Sequence, residues 1–322
     1  EFDVTFVARQ ERNNPDPDNP FVDLTVGTGS GFDYNSIQAA VNDASSGNVI
    51  SVAGEGFNEL VTVNTSGLTI AGAGEGHTTI DASGLERGMA IEADGVTVCD
   101  LTVDSAGVGV SSGEVEGIFV GDANGFTDED GIITIRDVTV SNVDAGDKTA
   151  EGIHVKSYDG GDPIDGVSIK NVTIDGVETP DSVGGANGIK LQSDLNNVTI
   201  DETSIKNVTG RWSYGVTLTP ASLESGLPTD VSINSSTIAD VTATTYSGVG
   251  VGIDSRGGGD VDPTATGNAS DDVADPRELS VIGTSFENAL VVGILNKNLA
   301  YNSLNIDSNN TYESGITQKQ GL

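Results

Sequence analysis

Gly152-Ile153-His154-Val155, followed after a loop by Val167-Ser168-Ile169-Lys170-Asn171-Val172-Thr173-Ile174, is one copy of a phrase that recurs along the chain. Its first part reads Gly, aliphatic, any residue, aliphatic. It returns as Gly117-Ile118-Phe119-Val120, Gly188-Ile189-Lys190-Leu191, Gly215-Val216-Thr217-Leu218 and Gly250-Val251-Gly252-Ile253. Its second part reads aliphatic-x-aliphatic, two turn residues, then Val or Thr, any residue, aliphatic. Val96 to Val103, Ile133 to Val140, Val198 to Ile205, Val231 to Ile238 and Leu279 to Phe286 are further copies. Each repeat thus holds three short strands with one apolar face, because a strand alternates its faces with period two. One repeat cannot bury that face alone, whereas stacked repeats bury it as a column. The expected fold is all-β, a parallel β-helix.

The turn between the two later strands has Asp100, Asp137, Asn171, Glu202 or Ser235 in second place. Asp and Asn tolerate left-handed backbone angles, so stacking predicts a structural ladder of turn residues. Repeats starting at Gly88, Gly117, Gly152, Gly188, Gly215 and Gly250 are unequally spaced, so the differences fall in loops. The largest insert, about 256 to 277, is rich in Gly, Asp, Pro and Asn and reads as a projection from the body.

Upstream, residues 2 to 8 read as a strand with Phe2, Val4 and Phe6 on one face. Pro15, Pro17 and Pro20 mark an extended linker after it. A helix over 36 to 44, with Asn35 and Gln38 bracketing its start and Ile37, Ala40 and Val41 as its stripe, would plug the N-terminal mouth. The expected organisation is therefore 1–20 strand and linker, 21–48 capping strand and helix, 49–312 parallel β-helix and 313–322 a polar tail.

Composition narrows the habitat. The 322 residues carry 49 Asp plus Glu against 14 Lys plus Arg, a net charge of −35. That charge excludes a nucleic-acid-binding surface. It suits concentrated salt, where screening lengths of about 3 Å at 1 M suppress self-repulsion. No apolar run is long enough to span a bilayer. The chain opens on Glu1 rather than Met, which reads as a processed or trimmed chain. A single cysteine, Cys99, excludes an intrachain disulfide, and its turn position predicts an exposed thiol. Asn-x-Ser/Thr sequons occur at Asn64, Asn171, Asn197, Asn207, Asn234, Asn268 and Asn309, several of them in turn columns. Together these features point to an extracellular location, on a cell or virion surface in a saline setting.

Ser36-Ile37-Gln38-Ala39-Ala40-Val41, Gly54-Glu55-Gly56-Phe57-Asn58-Glu59-Leu60, Leu68-Thr69-Ile70-Ala71-Gly72-Ala73-Gly74 and Thr78-Thr79-Ile80 resemble the opening of pectinesterases. The later repeats resemble the right-handed β-helix of the wider pectin-lyase-like superfamily. The specific match covers about 25 to 82 and the general one about 25 to 312. The resemblance implies a right-handed solenoid with a capping helix. It does not carry the chemistry. The pectinesterase Gln-Asp pair and the polygalacturonase Asn-Thr-Asp phrase are missing, Asp271-Asp272 falls in the long insert, and no pectate lyase pattern is matched. The fold also serves as scaffolding.

Candidate sites remain. Counting outward from each Gly gives a surface column of Ala90, Phe119, His154, Lys190, Thr217 and Gly252. Two residues further on come Glu92, Lys156, Gln192, Thr219 and Asp254. His154, Lys156 and Lys190 could grip an acidic sugar or run acid–base chemistry. Read structurally, they relieve like-charge repulsion on an acidic surface. Asp122, Asn124, Asp128 and Asp130, and separately Asp159 and Asp162, are oxygen ligands fit for calcium, the one cofactor considered. Gly27-x-Gly29-x-Gly31 lacks the spacing and the βαβ context of a phosphate loop. Trp212, beside Arg211 and Tyr214, reads as a sugar-stacking residue or as cover for a coil edge. Two functions follow. The first is a structural or adhesive surface protein, joined head to tail with other copies by donation of the strand at 2 to 8. The second is a polysaccharide-active lyase, esterase or glycoside hydrolase, or a sugar-binding module.

Overall fold

The computed structural model describes residues 22–104, 107, 114–121, 131–158, 163–179, 184–220, 227–245, 248–253, 278–288, 292–296, 303–306, 308–314 and 316–320. The N-terminal strand with Phe2, Val4 and Phe6, the Pro-rich linker and the long insert lie outside these residues. The described residues form a right-handed parallel β-helix. Nine parallel strands make the Gly-led sheet: Val61–Val63, Arg87–Ile91, Glu114–Val120, Thr149–Lys156, Ala186–Gln192, Ser213–Thr219, Gly248–Ile253, Val292–Asn296 and Thr317–Gln320. The other strands form a seventeen-stranded sheet that covers the two remaining faces. It is continuous because Thr97–Asp104, Ile133–Asp144 and Ile164–Glu178 run unbroken through the corner between those faces.

The corner is made by left-handed residues. Asp100, Asp137, Asn171, Glu202 and Ser235 have φ of 58°, 54°, 49°, 50° and 49°, the ladder expected from their order in the repeats. A second ladder turns the next corner through Asn142, Gly176, Asn207, Asp240 and Asn288. Register is kept rung by rung: Leu101 pairs with Val138, and Val138 with Val172. Inward aliphatics therefore stack like on like in one continuous core. Each fully buried Val, Ile or Leu contributes about 1.5–3 kcal/mol.

The phrase-opening glycine has a steric cause. A Cβ on Gly117 would lie 2.7 Å from the carbonyl oxygen of Gly152, and one on Gly152 would lie 2.6 Å from that of Gly188. The glycines thus stack with no room between coils for a side chain. They also break the alternation, because Val115, Ile118 and Val120 all enter the core although 115 and 118 differ by an odd number.

At the N-terminal mouth the helix Ile37–Asp43 buries Ile37, Ala40 and Val41. Its cap differs from the Asn35/Gln38 expectation. Ser36 is the N-cap and accepts from the Ala39 N–H, while Glu59, from the next coil, accepts from the N–H groups of Ile37 and Gln38. A carboxylate brought in from outside the helix suits the positive end of its dipole better than a local amide does. Gln38 instead ties the helix to the sheet, accepting from Thr62 N and donating to Thr62 O. Leu24–Val26 pairs in parallel with Val49–Val52, so it is the first rung of the solenoid.

Two further expectations are corrected. Residues 313–322 are more than a polar tail, because Thr317–Gln320 extends the Gly-led sheet beside Val292–Asn296. Tyr312, just before that segment, stacks on Phe286 with ring centroids 5.0 Å apart. Cys99 is buried rather than exposed. No helix among the described residues is long and apolar enough to cross a membrane.

Candidate functional site

The column expected on the surface of the Gly-led sheet faces away from the core, yet it is buried. Ala90, Phe119, His154, Lys190, Thr217, Gln192 and Thr219 each expose less than a tenth of their surface. The placing of these bases on the surface is therefore corrected for His154 and Lys190, which are buried, although Lys190 still offsets the charge of neighbouring glutamates. Lys156 alone of the three bases stays partly exposed. Period two tells which way a side chain points and says nothing of what lies over it.

The phase break at the glycines adds a second outward column that the sequence reading missed. Arg87 pairs with Glu116, Glu116 with Glu151 and Glu151 with Asn187. These residues directly precede the phrase-opening glycines, and a charged residue before Gly in three successive repeats was the signal available in the sequence. Glu114, two residues before Glu116, faces the same way.

Together they make a compact ionic cluster. Arg87 Nε donates to Glu116 Oε2 at 2.8 Å, and the guanidinium carbon sits 4.1 Å above the Phe119 ring. His154 packs edge-on against Phe119, with ring centroids 5.6 Å apart. His154 Nδ1 lies 3.2 Å from Glu116 Oε1, and Nε2 lies 2.9 Å from the Gln192 amide. Lys190 Nζ donates to Glu114 Oε1 and Glu151 Oε1, each at 3.1 Å. Glu151 Oε2 is buried with no hydrogen-bond partner.

Burial dominates the protonation states. It lowers the pKa of His154, and the nearby Lys190 ammonium adds to this, so the imidazole is neutral. Nε2 faces Gln192 Oε1, so a neutral ring that donates from Nδ1 to Glu116 requires the Gln192 amide turned end for end to offer its NH2. Burial pushes Glu116 up, but hydrogen bonds from His154 and Arg87 outweigh it and hold the carboxyl below the usual range. Burial also opposes ionisation of Glu114, yet the Lys190 charge holds it down to about 2. Glu151 has no such relief. Burial pushes it up to about 8 against the pull of Lys190, with Glu114 and Glu116 adding to the rise. Lys190 itself is raised above the ordinary lysine range: with Glu151 neutral, the Glu114 carboxylate and the hydrogen bonds to both glutamates work against its burial. At neutral pH the cluster thus holds Arg87 with Glu116, Lys190 with Glu114, a neutral imidazole and a neutral carboxylic acid.

Carboxylate oxygens of Glu114 and Glu151 and a ring nitrogen of His154 lie within 4.8 Å of one another, a spacing that one divalent ion could bridge. Lys190 Nζ already contacts both carboxylates, so an internal ammonium fills the cation's role. The calcium candidates Asp122, Asn124, Asp128, Asp130, Asp159 and Asp162 lie outside the described residues, as does Asp254. Trp212 is partly exposed and packs against Tyr214 and Val249, with Arg211 5.7 Å from its ring.

The sequons acquire a structural meaning. Asn171, Asn197 and Asn207 all have positive φ, and each donates its Nδ2 to the Asp of a preceding coil, at 2.7, 2.5 and 2.6 Å from Asp137, Asp165 and Asp175. Asn-Val-Thr is here the grammar of a corner: a left-handed residue, an inward aliphatic and an outward β-branched residue. Asp100-Leu101-Thr102 and Asp137-Val138-Thr139 follow the same grammar without forming a sequon. Asn64 is exposed, Asn234 half-buried and Asn309 exposed, while Asn268 lies outside the described residues.

No family model matches the chain, and no curated protein matches it. Among solved structures it is similar to a pectin methylesterase in complex with a hexasaccharide, at 14% identity and TM-score 0.41, over 83% of this chain and 80% of that one. Pectin methylesterase from carrot gives 12% identity and TM-score 0.41, over 91% and 90%. The A-module of a mannuronan C-5 epimerase from Azotobacter vinelandii gives 14% identity and TM-score 0.30, over 89% and 92%. At these identities the likeness is one of fold.

Proposed function

We propose that this is an extracellular structural or adhesive β-helix of a saline environment. The observation that carries this reading is the sealing of the acid–base cluster. Glu116, Glu151 and His154 expose at most 1% of their side chains, so a polymer chain on the surface does not touch them, while Arg87 and Glu114 at the edge are partly exposed. Their contacts all run between neighbouring coils, which makes the cluster a clamp along the rod. Turnover of pectin at high salt, abolished by His154→Ala, would overturn this reading in favour of a polysaccharide-active enzyme. The rim supports that second reading, since Arg87, Lys156 and Tyr158 are partly exposed, with the Lys156 ammonium 4.8 Å from the Tyr158 ring.

The charge of −35 supports the saline setting. In dilute buffer it repels itself, and at molar salt the screening length falls to about 3 Å. The melting midpoint followed by circular dichroism should rise steeply from about 0.1 M to about 3 M salt. A midpoint that stays constant across the series removes the halophilic reading.

Assembly is the other part of the proposal. Thr317–Gln320 ends the Gly-led sheet and pairs on one side only among the described residues. An open edge of this kind accepts a strand from another chain, and Phe2, Val4 and Phe6 would anchor the donor strand at 2 to 8. Such head-to-tail donation propagates into a filament unless it closes into a ring. Deleting residues 1 to 12 should leave the fold intact and abolish assembly seen by electron microscopy at high salt. Equal assembly by the truncated chain, or a strictly monomeric full chain, rules donation out.

A further inference from the structure

Lys190 and Glu151 belong to neighbouring strands of the Gly-led sheet, and both are buried. Lys190 Nζ reaches one Glu151 oxygen at 3.1 Å, while the other, Oε2, has neither a partner nor exposed surface. An ionised carboxylate needs both oxygens solvated or bonded, and leaving one bare is costly. A neutral carboxylic acid fits the site better, with its carbonyl oxygen toward the ammonium and its hydroxyl on the bare side. The high pKa of Glu151 agrees with this state. Glu114, in contrast, is ionised and exposes 38% of its side chain. Its Oε1 also lies 3.1 Å from Lys190 Nζ. An amine precursor, a buried neutral carboxyl and an ionised carboxylate at the edge of the site are thus held together around Lys190.

We propose that Lys190 and Glu151 condense into a side-chain amide that covalently staples two adjacent coils. The Glu114 carboxylate takes a proton from the Lys190 ammonium, which frees the nitrogen lone pair. Nζ attacks the Glu151 carboxyl carbon, forming the C–N bond. Protonated Glu114 then returns a proton to the departing hydroxyl, the C–O bond breaks and one water leaves. The second proton shed by the nitrogen passes to the Glu114 carboxylate, which ends protonated and releases it to solvent through its exposed side. Amine plus acid gives amide plus water, with no redox change and no co-reactant. Glu114, Glu151 and His154 have polar atoms within 4.8 Å of one another, so each proton moves a short way.

Proximity makes the step feasible, because well-oriented intramolecular groups reach effective molarities of about 10⁵–10⁸ M. Lys190 holds its proton tightly between two glutamates, so the free amine is scarce and the reaction slow. A bond that forms once per molecule tolerates this, and exclusion of water protects the product from hydrolysis. Glu151 rather than Glu114 is the acyl partner, since an ionised carboxylate is a poor electrophile. Coils of a solenoid contact only their neighbours, so the rod opens coil by coil under load. An amide between adjacent coils blocks that opening at its position. The inference stands independently of assembly and of any activity on polysaccharide.

Intact-mass measurement of the full chain, incubated folded at high salt and then denatured, tests it directly. The expected mass is one water below that of the sequence, with fragmentation placing the bond between Glu151 and Lys190. Lys190→Met should show no loss of water. Glu114→Gln, checked for folding by circular dichroism, should likewise stay unlinked. Asp-Gly steps such as Asp175-Gly176 also lose water by cyclising, so a loss that persists in Lys190→Met overturns the staple. A wild-type chain at full sequence mass overturns it equally, and linkage that persists in Glu114→Gln overturns the role given to Glu114.

Discussion

Gly152→Val should destabilise the protein by about 3 kcal/mol or more, enough to break the solenoid at its middle coils. The new Cβ alone would meet the Gly188 carbonyl oxygen at 2.6 Å and Ile174 Cγ2 at 2.7 Å. Neither neighbour can withdraw. The carbonyl belongs to the next rung of the ladder, and Ile174 is fully buried in the core. Ordinary overpacking costs about 1–3 kcal/mol when side chains can adjust, and here a backbone must move and carry its stack with it. Gly146→Ala is the matched control. Gly146 has φ of 58° and nothing within 4 Å of the added Cβ, so only left-handed strain of about 1–2 kcal/mol applies. Denaturant titration of both variants at high salt should place Gly152→Val far below Gly146→Ala, and equal midpoints would refute the packing account of the phrase-opening glycine.

Arg87→Met should cost about 2–4 kcal/mol at neutral pH. Breaking a buried ion pair by removing one partner costs about 3–5 kcal/mol, and the figure is reduced because Arg87 is partly solvated. The arginine side chain is 28% exposed, but the Glu116 carboxylate it leaves behind is only 1% exposed. His154 cannot replace the lost charge, because its imidazole is held neutral by burial. Arg87→Met/Glu116→Gln should recover most of the loss, and a double-mutant cycle without coupling would show the pair to be inert. The pH dependence has a definite sign. In the parent chain the folded pKa of Glu116 lies below the ordinary 4.5, so its contribution is complete above about pH 4.5 and is lost as pH falls through the folded value. His154 acts in the same direction, since its folded pKa lies below 6.5 and the unfolded chain gains a proton first on acidification. Without Arg87, burial prevails at Glu116 and its folded pKa rises. The penalty of the substitution should then shrink as pH falls from 7 toward 4.5, because the stranded carboxyl takes up a proton.

The two ladders at the corners show how much of the fold could be read directly. Asp100, Asp137, Asn171, Glu202 and Ser235 fall at one place in each repeat, and that place demands a left-handed backbone. A local steric requirement leaves a local mark, so it survives in a single sequence. The helix cap shows the opposite case. Gln38 stands at a capping-box distance from Asn35, but Glu59 of the next coil supplies the charge. A partner drawn from another coil leaves no mark near the helix.

The sequence by itself determined the solenoid, the inward faces, the phrase-opening glycine and the acidic surface. Each of these is imposed by the period of the strand, by the space available to a single Cβ or by the sum of charges. Only the tertiary structure decided the fate of the outward face. Counting by twos from Ile118 sends Glu116 toward the core, whereas the break in phase at Gly117 turns it outward beside Arg87 and His154. Periodicity also could not show that this outward face is covered. Cover turns His154 from a titrating surface base into a neutral ring, and Glu151 from a solvated carboxylate into an acid against Lys190. Direction is a property of the strand and follows from local geometry. Burial, and with it the protonation of every group in the cluster, depends on what the rest of the chain lays over that strand.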